Sequence, residues 1–256
     1  MRKYNIEGIV LKSINYRDSD KLYTLFTPSR GKITVQGRGV RKISSRRGGN
    51  LDTLNYINTG ISESINGYKT VTEVKSLNSF ISLKSSLSIS TRAYYLLELV
   101  HRFIEEEDIT IARPVFTSLL KTVTKLNESK SELSTLIIVN AFELNFMNLL
   151  GYGLSLEKCT KCGKPFSLDW ELYKVGIYDG GFICDTCSAL GVSVTRGTAQ
   201  VLNYITRYNN KTLKDGKKFS IFSREDIYAA DELIKYYISE TLEGSFKTIR
   251  VFKNLI

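Results

Sequence analysis

The sequence lacks most of the patterns on which nucleotide-hydrolysing enzymes and membrane proteins depend. It has no GxxxxGK[ST] phosphate-binding loop, and Lys42 stands where a GxGxxG motif starting at Gly37 would need its third glycine. No apolar run approaches the length of a membrane-spanning helix, about eighteen residues, and residues 1–8 contain no apolar signal core. These absences predict a cytoplasmic protein with no ATPase activity and no membrane partner.

A catalytic centre is not indicated either. The one histidine, His101, falls on a predicted helix without an accompanying acidic or nucleophilic constellation, so we interpret it as a surface or satisfied histidine. The tight acidic groups, Asp18 with Asp20 and the run at residues 105–108, are typical of loops and helix ends. A zinc deaminase would need an HxE motif, which does not occur. We therefore predict that the protein is not an enzyme.

Acidic residues are missing from the stretch between Lys21 and Asn50, which carries eight Lys or Arg residues. Residues 1–50 hold twelve basic and three acidic residues, a net of +9 that nearly equals the +10 of the whole chain. Positive charge confined to one segment is typical of a polyanion site, because neutralised phosphates release condensed counterions. The alternative interpretation is a solvated loop that is rich in Lys and Arg.

The same segment has the alternating pattern of short β-strands with turns between them. Strands are predicted at residues 6–13, 22–27, 32–36, 54–65 and 67–80, the last two joined by a type I′ turn at Asn66-Gly67. About five strands in eighty residues favour a small OB-type barrel, whose open face binds single strands. Residues 37–49 would hang from it as a mobile basic arm, and Tyr16 or Tyr23 would stack on bases.

After residue 80 the hydrophobic period becomes that of helices. Apolar stripes predict helices at residues 96–104, from Pro114 to 123, at 136–150 with Gly151 as C-cap, at 195–208 and at 223–242. The last begins with Ser223, three residues before Asp226, a spacing that resembles a capping box.

All four cysteines lie in two CxxC pairs, Cys159 with Cys162 and Cys184 with Cys187, separated by twenty-one residues. Each pair directs two thiolates at one centre, and two pairs complete the tetrahedral shell that zinc prefers. The residues between them read as the short hairpin of a zinc ribbon. We predict one structural Zn²⁺ per chain, and four thiolates leave no open coordination position for catalysis. Disulfide or redox roles are the alternative, although thiols without a secretory signal stay reduced.

The predicted fold class is therefore α+β and multidomain. Residues 1–80 form an OB-fold DNA-binding domain, and residues 81–256 form a helical domain. A four-cysteine zinc ribbon interrupts the helical domain at about residues 157–190.

The order of several short motifs resembles one known family, the RecO DNA repair proteins. The motifs are residues 7–11, residues 31–33, residues 38–42 with Ser45-Arg46, the paired CxxC knuckles, and Tyr236-Tyr237 with Gly244 and Phe252. Each motif alone is weak, but their combination runs in order over nearly the whole chain. The resemblance implies an N-terminal OB fold, a central helical domain and a zinc-ribbon insertion.

The resemblance also implies a function, that of a recombination mediator in the bacterial nucleoid. Such proteins bind single- and double-stranded DNA, anneal complementary strands, and help RecA load onto DNA coated with single-strand-binding protein. The implied partners are RecR, the C-terminal tail of single-strand-binding protein, and in some pathways RecF. The alternatives are a generic zinc-ribbon transcription or RNA-binding factor and a nuclease, neither of which accounts for a barrel, helices and a ribbon in this order.

Nine basic residues are the candidate DNA contacts. The resemblance carries over Lys32, Arg38, Arg41, Lys42 and Arg46. The charge pattern alone adds Lys12, Arg17, Lys21 and Arg47.

Overall fold

The computed structural model describes residues 1–42, 45, 47–187, 190–210 and 221–242. Its elements are β1 Arg2–Tyr16, β2 Asp20–Thr27, β3 Gly31–Gly37, β4 Tyr56–Glu63, β5 Lys69–Asn78, α1 Ile81–Lys84, α2 Leu87–Phe103, α3 Ala112–Glu128, α4 Glu132–Leu149, β6 Tyr173–Gly176, β7 Gly181–Ile183, β8 Val192–Val194, α5 Arg196–Asn210 and α6 Arg224–Thr241. A mixed α and β architecture is thus confirmed. The candidate DNA contact Arg46 lies outside the described residues, as do Gly244 and Phe252.

The first five strands close into a barrel in the order β1-β2-β3-β5-β4. Neighbouring strands are antiparallel, except that β3 meets β5 in parallel at Gln36 and Thr70, and the pairing of β1 with β4 closes the ring. Because side chains alternate along a strand, one side of each strand faces the interior. The buried cluster there contains Val10, Tyr23, Leu25, Ile33, Val35, Ile57, Ile61 and Val71. The five strands predicted from alternation are confirmed.

The connection between β4 and β5 is a hairpin, as predicted, but its turn differs in type. Gly67 has a φ of 77°, and its N–H donates to the Ser64 carbonyl at 3.0 Å. Asn66 has no positive φ, whereas a type I′ turn needs one at both central residues. The turn is therefore a type I turn followed by a left-handed glycine, which makes a three-residue loop with a bulge.

The loop after β3 is tied to the barrel in its described part, so the prediction of a free basic arm was wrong for those residues. Val40 and Leu51 are buried in the barrel core. The Arg41 N–H donates to the Ser19 carbonyl at 3.0 Å, and the Leu51 N–H donates to the Arg47 carbonyl at 3.2 Å. Burial of these apolar side chains is favourable and anchors the loop to the barrel.

Helices α1 to α3 belong with the barrel in one compact unit, which includes Met1–Glu128. Helix α2 packs on β1, and α3 packs on β2 and β3. The Phe116 ring of α3 lies 6.1 Å from the rings of both Phe26 and Tyr56. The predicted domain boundary at residue 80 stays a prediction.

A second compact unit begins at Ser129 and contains the remaining elements. Helix α4 is buried on most sides and packs against α5 and α6. The predicted capping residue is confirmed, because Ser223 Oγ accepts the Asp226 N–H at 3.1 Å. The Asp226 carboxylate also accepts the hydroxyls of Thr195 and Thr198 at 2.6 and 3.0 Å, which joins the start of α5 to the start of α6. Among the described helices, none has the length and apolar character needed to cross a bilayer.

Candidate nucleic-acid interface and candidate metal centre

The outer face of β1, β2 and β3 carries both polar and apolar side chains, which alternate with those of the core. The strand register aligns these outer residues in rows that cross the three strands. One row contains Lys12, Thr24 and Thr34, and the next contains Ile14, Leu22 and Gln36.

A groove of about 950 Å³ lies along this face. Leu22, Thr34 and Gln36 contribute from β2 and β3. The β1–β2 turn lines it with Tyr16 and Arg17, and Arg38 follows from the end of β3. The hairpin between β4 and β5 and the connection after α2 complete the lining with Asn66, Tyr68, Lys69, Glu106 and Glu107. The groove is thus framed by a sheet face and by loops from either end of it.

Asp20 organises the end of the groove where β3 terminates. Its carboxylate accepts the Gly39 N–H at 2.8 Å and the Gln36 amide at 2.7 Å. The hydrogen bond from the Gly39 backbone is the main reason that the pKa of Asp20 lies below its ordinary value. The Arg41 guanidinium donates to the carbonyls of Arg17 and Asp18 at 3.3 and 3.1 Å. These bonds hold the β1–β2 turn and the loop after β3 side by side.

Three of the predicted contacts are brought together by this arrangement, namely Arg17, Arg38 and Arg41. All three side chains are exposed. Arg17 has a φ of 53°, and its guanidinium lies 5.1 Å from the centre of the Tyr16 ring. Lys42 is exposed in the same loop, where its N–H donates to the Gly39 carbonyl at 3.2 Å. We call this group of four residues the basic end of the groove; Arg17 and Arg38 line the groove, and Arg41 and Lys42 lie beside it in the loop.

The remaining described candidates do not join the basic end. Lys32 is half-buried, and its ammonium donates to the His101 carbonyl in the last turn of α2 at 2.7 Å, a favourable place for a cation. Burial lowers the pKa of Lys32, although Glu106 and Glu105 oppose that effect. Lys12 is exposed on β1 and is close enough to lower the pKa of His101.

Arg47 and Lys21 are also only partly exposed. The Arg47 guanidinium donates to the carbonyls of Val71 and Arg38 at 3.4 and 3.2 Å, so it ties the loop to β5. Lys21 pairs with Gly37 at the barrel rim, on the strand side that also carries the buried Tyr23. Arg47 therefore supports the barrel end, and Lys21 lies at its rim.

At the opposite end of the groove, where β3 begins, carboxylates lie beside basic side chains, and Arg30 lies 3.6 Å from the Glu63 carboxylate. Glu106 forms a parallel bridge with Lys32, and the Glu107 N–H donates to the Lys32 carbonyl at 2.8 Å. The Lys69 ammonium lies 2.6 Å from the Glu107 carboxylate and 3.8 Å from that of Glu63. The hydrogen bond from Lys69 lowers the pKa of Glu107.

The exposed aromatic residues differ in part from those predicted. Tyr16 is 37% exposed on the groove wall, but Tyr23 is 2% exposed in the core, so its predicted stacking role was wrong. Tyr23 shares its strand side with Leu25, and this alternation could have revealed its burial. Tyr68 is 75% exposed in the groove. It was not predicted as a stacking residue, because it directly follows the Asn66-Gly67 turn signal. Glu106 and Glu107 were also not predicted to line a groove, because their acidic run was interpreted as a charge cluster of a loop or helix end.

His101 is neither fully exposed nor satisfied, contrary to the prediction. It is half-buried, and its Nδ1 is buried without a hydrogen-bond partner among the described residues. Burial, and then the charges of Lys32 and Lys12, lower its pKa. The imidazole is therefore neutral at physiological pH.

The four cysteines meet as the spacing predicts. The sulfurs of Cys159, Cys162, Cys184 and Cys187 all lie within 4.8 Å of one another. A tetrahedral zinc site with Zn–S bonds of about 2.3 Å requires sulfurs about 3.8 Å apart, and Cys162 Sγ lies 3.6 Å from Cys184 Sγ. A donor set of four thiolates is one that zinc or an iron–sulfur site uses, so the cluster is compatible with a metal ion.

Backbone geometry favours a thiolate at Cys159, whereas hydrogen bonds with Cys162 and Cys184 raise the pKa of Cys187 to about 12. Gly163 has a φ of 76° and donates its N–H to the Cys159 carbonyl at 2.9 Å, which closes the first knuckle. Burial would raise the pKa of the Cys159 thiol, but N–H groups of Cys162, Cys184 and Lys161 outweigh it and lower that pKa to about 6. A thiol with a lowered pKa supplies the thiolate that metals bind.

A three-stranded sheet supports the cluster, in the order β7-β6-β8. The hairpin of β6 and β7 was predicted, and β8 was not. A small aromatic core stands beside it, where the Phe166 ring stacks on Phe182 with centroids 5.2 Å apart and meets Trp170 edge-on at 5.8 Å. Val175 and Ile183 of β6 and β7 are also buried beside it.

Models of one protein family match nearly the whole chain. The N-terminal one, described as Recombination protein O N terminal, matches residues 1–80. The second, described as Recombination protein O C terminal, matches residues 85–250. The two matches meet where the barrel gives way to the helices.

Curated relatives carry the corresponding name. A DNA repair protein RecO of Dehalococcoides mccartyi is 30% identical over 79% of this chain and 78% of its own length. Another, of Acetivibrio thermocellus, is 27% identical over 100% of this chain and 98% of its own length. A third, of Clostridium novyi, is 26% identical over 98% and 94%. All three are named as repair proteins, and none of the names specifies a catalysed reaction.

Proposed function

This chain belongs to the RecO family of DNA repair proteins, and from that premise we propose that it is a recombination mediator whose groove holds single-stranded DNA. The family supports a role in DNA repair and recombination. The observation that most favours a DNA site is the groove itself, which combines an exposed cationic end with exposed aromatic rings. Such grooves bind single strands through phosphate contacts and base stacking.

In this proposal the barrel is of the OB type. An OB fold binds oligonucleotides on the face of its second and third strands, between the β1–β2 and β4–β5 loops. The groove occupies that face, and those two loops line it. Phosphates then lie at Arg17, Arg38, Arg41 and Lys42, with Arg46 a further candidate in the same loop. Lys12 and Lys21 act at the margin, while Lys32 and Arg47 mainly hold the barrel together.

The cysteine cluster holds one structural zinc ion in this proposal. Cys159, Cys162, Cys184 and Cys187 supply all four ligands. A complete thiolate shell stabilises the ribbon and offers no position for a substrate. The zinc therefore contributes to folding rather than to chemistry, and the protein acts as a binding factor rather than an enzyme.

The mediator role follows from what a cationic groove does to a single strand. Two complementary strands repel along their phosphates, and a surface that screens those charges lowers the cost of their encounter. Annealing driven this way needs no ATP. We include as partners double-stranded DNA, RecR, the C-terminal tail of single-strand-binding protein, RecA and in some pathways RecF, all from the family resemblance. The ranges 1–80 and 81–256, with the ribbon inserted at 157–190, stay our proposal for the domains.

A salt titration of single-strand binding tests this proposal. If about five phosphates are neutralised, log affinity falls with log salt at a slope near roughly −3.5, and an Arg17→Ala, Arg38→Ala double variant flattens it to about −2. Lys75→Ala and Arg113→Ala are matched controls, because both side chains are exposed and neither lines the groove. An unchanged slope in the double variant would move the site away from the groove. A preference for RNA or promoter duplex would instead favour a generic zinc-ribbon factor, and metal-dependent cleavage would favour a nuclease.

A further inference from the structure

The hairpin between β4 and β5 ends in a loop whose own hydrogen bonds fix its shape. The Ser64 N–H donates to the Tyr68 carbonyl at 2.9 Å, and the Tyr68 N–H donates to Ser64 Oγ at 3.1 Å. The Gly67 N–H donates to the Ser64 carbonyl at 3.0 Å, and the left-handed φ of 77° at Gly67 completes the turn. Because these bonds lie within the loop, its tip is ordered before a ligand binds, and binding there costs little conformational entropy.

Ile65 stands at the tip of this loop and is 94% exposed. Its chain neighbours Ser64 and Asn66 line the groove, as does Tyr68, so Ile65 lies at the rim of the groove without belonging to its lining. A single exposed apolar side chain is ordinary on a protein surface. Ile65 is one of a group, because Tyr68 on the same loop is 75% exposed and Ile14 on the outer face of β1 is 51% exposed. Such a group is typical of a surface that a ligand covers.

An apolar side chain at such a rim can act on the stacking of DNA bases. Adjacent bases of a strand stack on one another, and many DNA-binding proteins interrupt this stacking with an apolar side chain placed between two bases. Such a wedge exchanges the contact between two bases for contacts of each base with the side chain. Almost the whole apolar surface of Ile65 is available for these contacts, and its burial is favourable. Stacking of a neighbouring base on Tyr68 further compensates for the base contact that is lost.

We propose that Ile65 is a wedge that separates two adjacent bases of the strand held in the groove. The inference rests on the proposed function of the groove. Tyr68 stacks on one of the two bases, and Ile65 fills the gap between that base and the next. Bases that no longer stack on each other are free to pair with a complementary strand, so the wedge connects strand binding to annealing.

Circular dichroism of a pair of adjacent 2-aminopurines tests this, because the pair gives an exciton-coupled signal only when its two bases stack on each other. The signal lies where neither the protein nor ordinary bases absorb. The probe is a short oligonucleotide of thymines in which the pair is moved stepwise from the 5′ end to the 3′ end. Fluorescence anisotropy of the same oligonucleotides, labelled at one end, measures affinity and establishes saturation.

Three full-length variants are compared with the unaltered protein. Ile65→Ser removes the apolar wedge, and Ile65→Leu keeps an apolar side chain of the same size. Ile81→Ser is the matched control, since Ile81 is 76% exposed on α1 and does not line the groove.

For the unaltered protein at saturation, we expect the dichroism signal to fall by about half at one or more positions of the pair, because one stacking step is opened. Ile65→Ser should keep most of the signal of the free oligonucleotide and bind about two- to fivefold more weakly, since the apolar contact is lost. Ile65→Leu and Ile81→Ser should behave as the unaltered protein does. An undiminished signal with the unaltered protein at every position, the same fall with Ile65→Ser, or loss of the fall in Ile81→Ser would each overturn the inference. Failure of the unaltered protein to bind the oligonucleotides at all would instead overturn the proposed function.

Discussion

At the scale of single residues, side chains of the same type differ in how far they are exposed, although the sequence alone does not distinguish them. Tyr16, Tyr23 and Tyr68 all flank turns or strands of one small barrel, yet one is buried and two stand in the groove. Arg38 and Lys32 are both basic residues of the same strand region, but Lys32 is engaged with the end of α2. The role of a residue therefore depends on its place in the fold as well as on its type.

Tyr68→Ala should weaken single-strand binding about five- to tenfold, because stacking of a base on an aromatic ring contributes about 1–3 kcal/mol. Tyr68→Phe should retain affinity, since the ring is kept. Tyr178→Ala is the control, as Tyr178 is 94% exposed in the turn between β6 and β7, far along the chain from the groove residues. Anisotropy with a short oligonucleotide measures all three, and equal affinity of Tyr68→Ala and the unaltered protein would remove Tyr68 from the site.

At the candidate site, the sequence predicted which types of residue occur but not the role of each one. The stretch without acidic residues identified Arg38, Arg41 and Lys42 as candidates, and all three are exposed in the loop after β3. It did not separate Arg47, whose guanidinium binds carbonyls of β5 and of the loop. The charge pattern gives only the sign of the charge on each side chain. What a guanidinium binds depends on which carbonyl groups the fold places near it.

At the scale of elements, the knuckles and the ribbon form a small structure. Its packing consists of the aromatic contacts of Phe166 with Trp170 and Phe182 and of a few buried aliphatic side chains such as Val175 and Ile183. In such a segment the binding energy of a metal becomes folding energy. The sheet β7-β6-β8 is therefore expected to order with the cysteine cluster.

Cys162→Ser should lose tight zinc binding and lower the melting temperature by roughly 4–8 °C, the shift expected for about 2 kcal/mol in a chain of this size. Single-strand affinity should change less than twofold, because the groove residues lie in the unit that ends at Glu128. Thr160→Ser keeps all four sulfurs and serves as the control. Elemental analysis and calorimetry supply the measurements, and protein purified without chelator that contains no metal would contradict the assignment.

Helices and strands could be predicted where a repeating sequence pattern defines them. Turns and loops were harder to predict, because single contacts determine their structure. Alternation located five strands and apolar stripes located the long helices, but the turn at Asn66-Gly67 took another type, because only Gly67 is left-handed. The loop after β3 looked free because charge dominates it, yet Val40 and Leu51 anchor it. Strand β8 has three residues, too few to show a period.

At the scale of the whole molecule, a unit with a barrel and a groove is followed along the chain by a unit with helices and a four-cysteine cluster. Family membership supports a role in DNA repair. The charge pattern predicted a DNA site within residues 1–50, and that location stays a prediction. Residues 106 and 107 join the groove through tertiary structure alone, so no local sequence pattern places them there.

The most direct test of the central claim is the annealing of complementary strands coated with single-strand-binding protein, with no nucleotide present. Fluorescence energy transfer between labelled strands follows the reaction. We expect this protein to raise the annealing rate well above that of the coated strands alone. The Arg17→Ala, Arg38→Ala double variant should lose most of the gain, and Lys75→Ala should keep it. An annealing rate equal to that of the coated strands alone would contradict the mediator function.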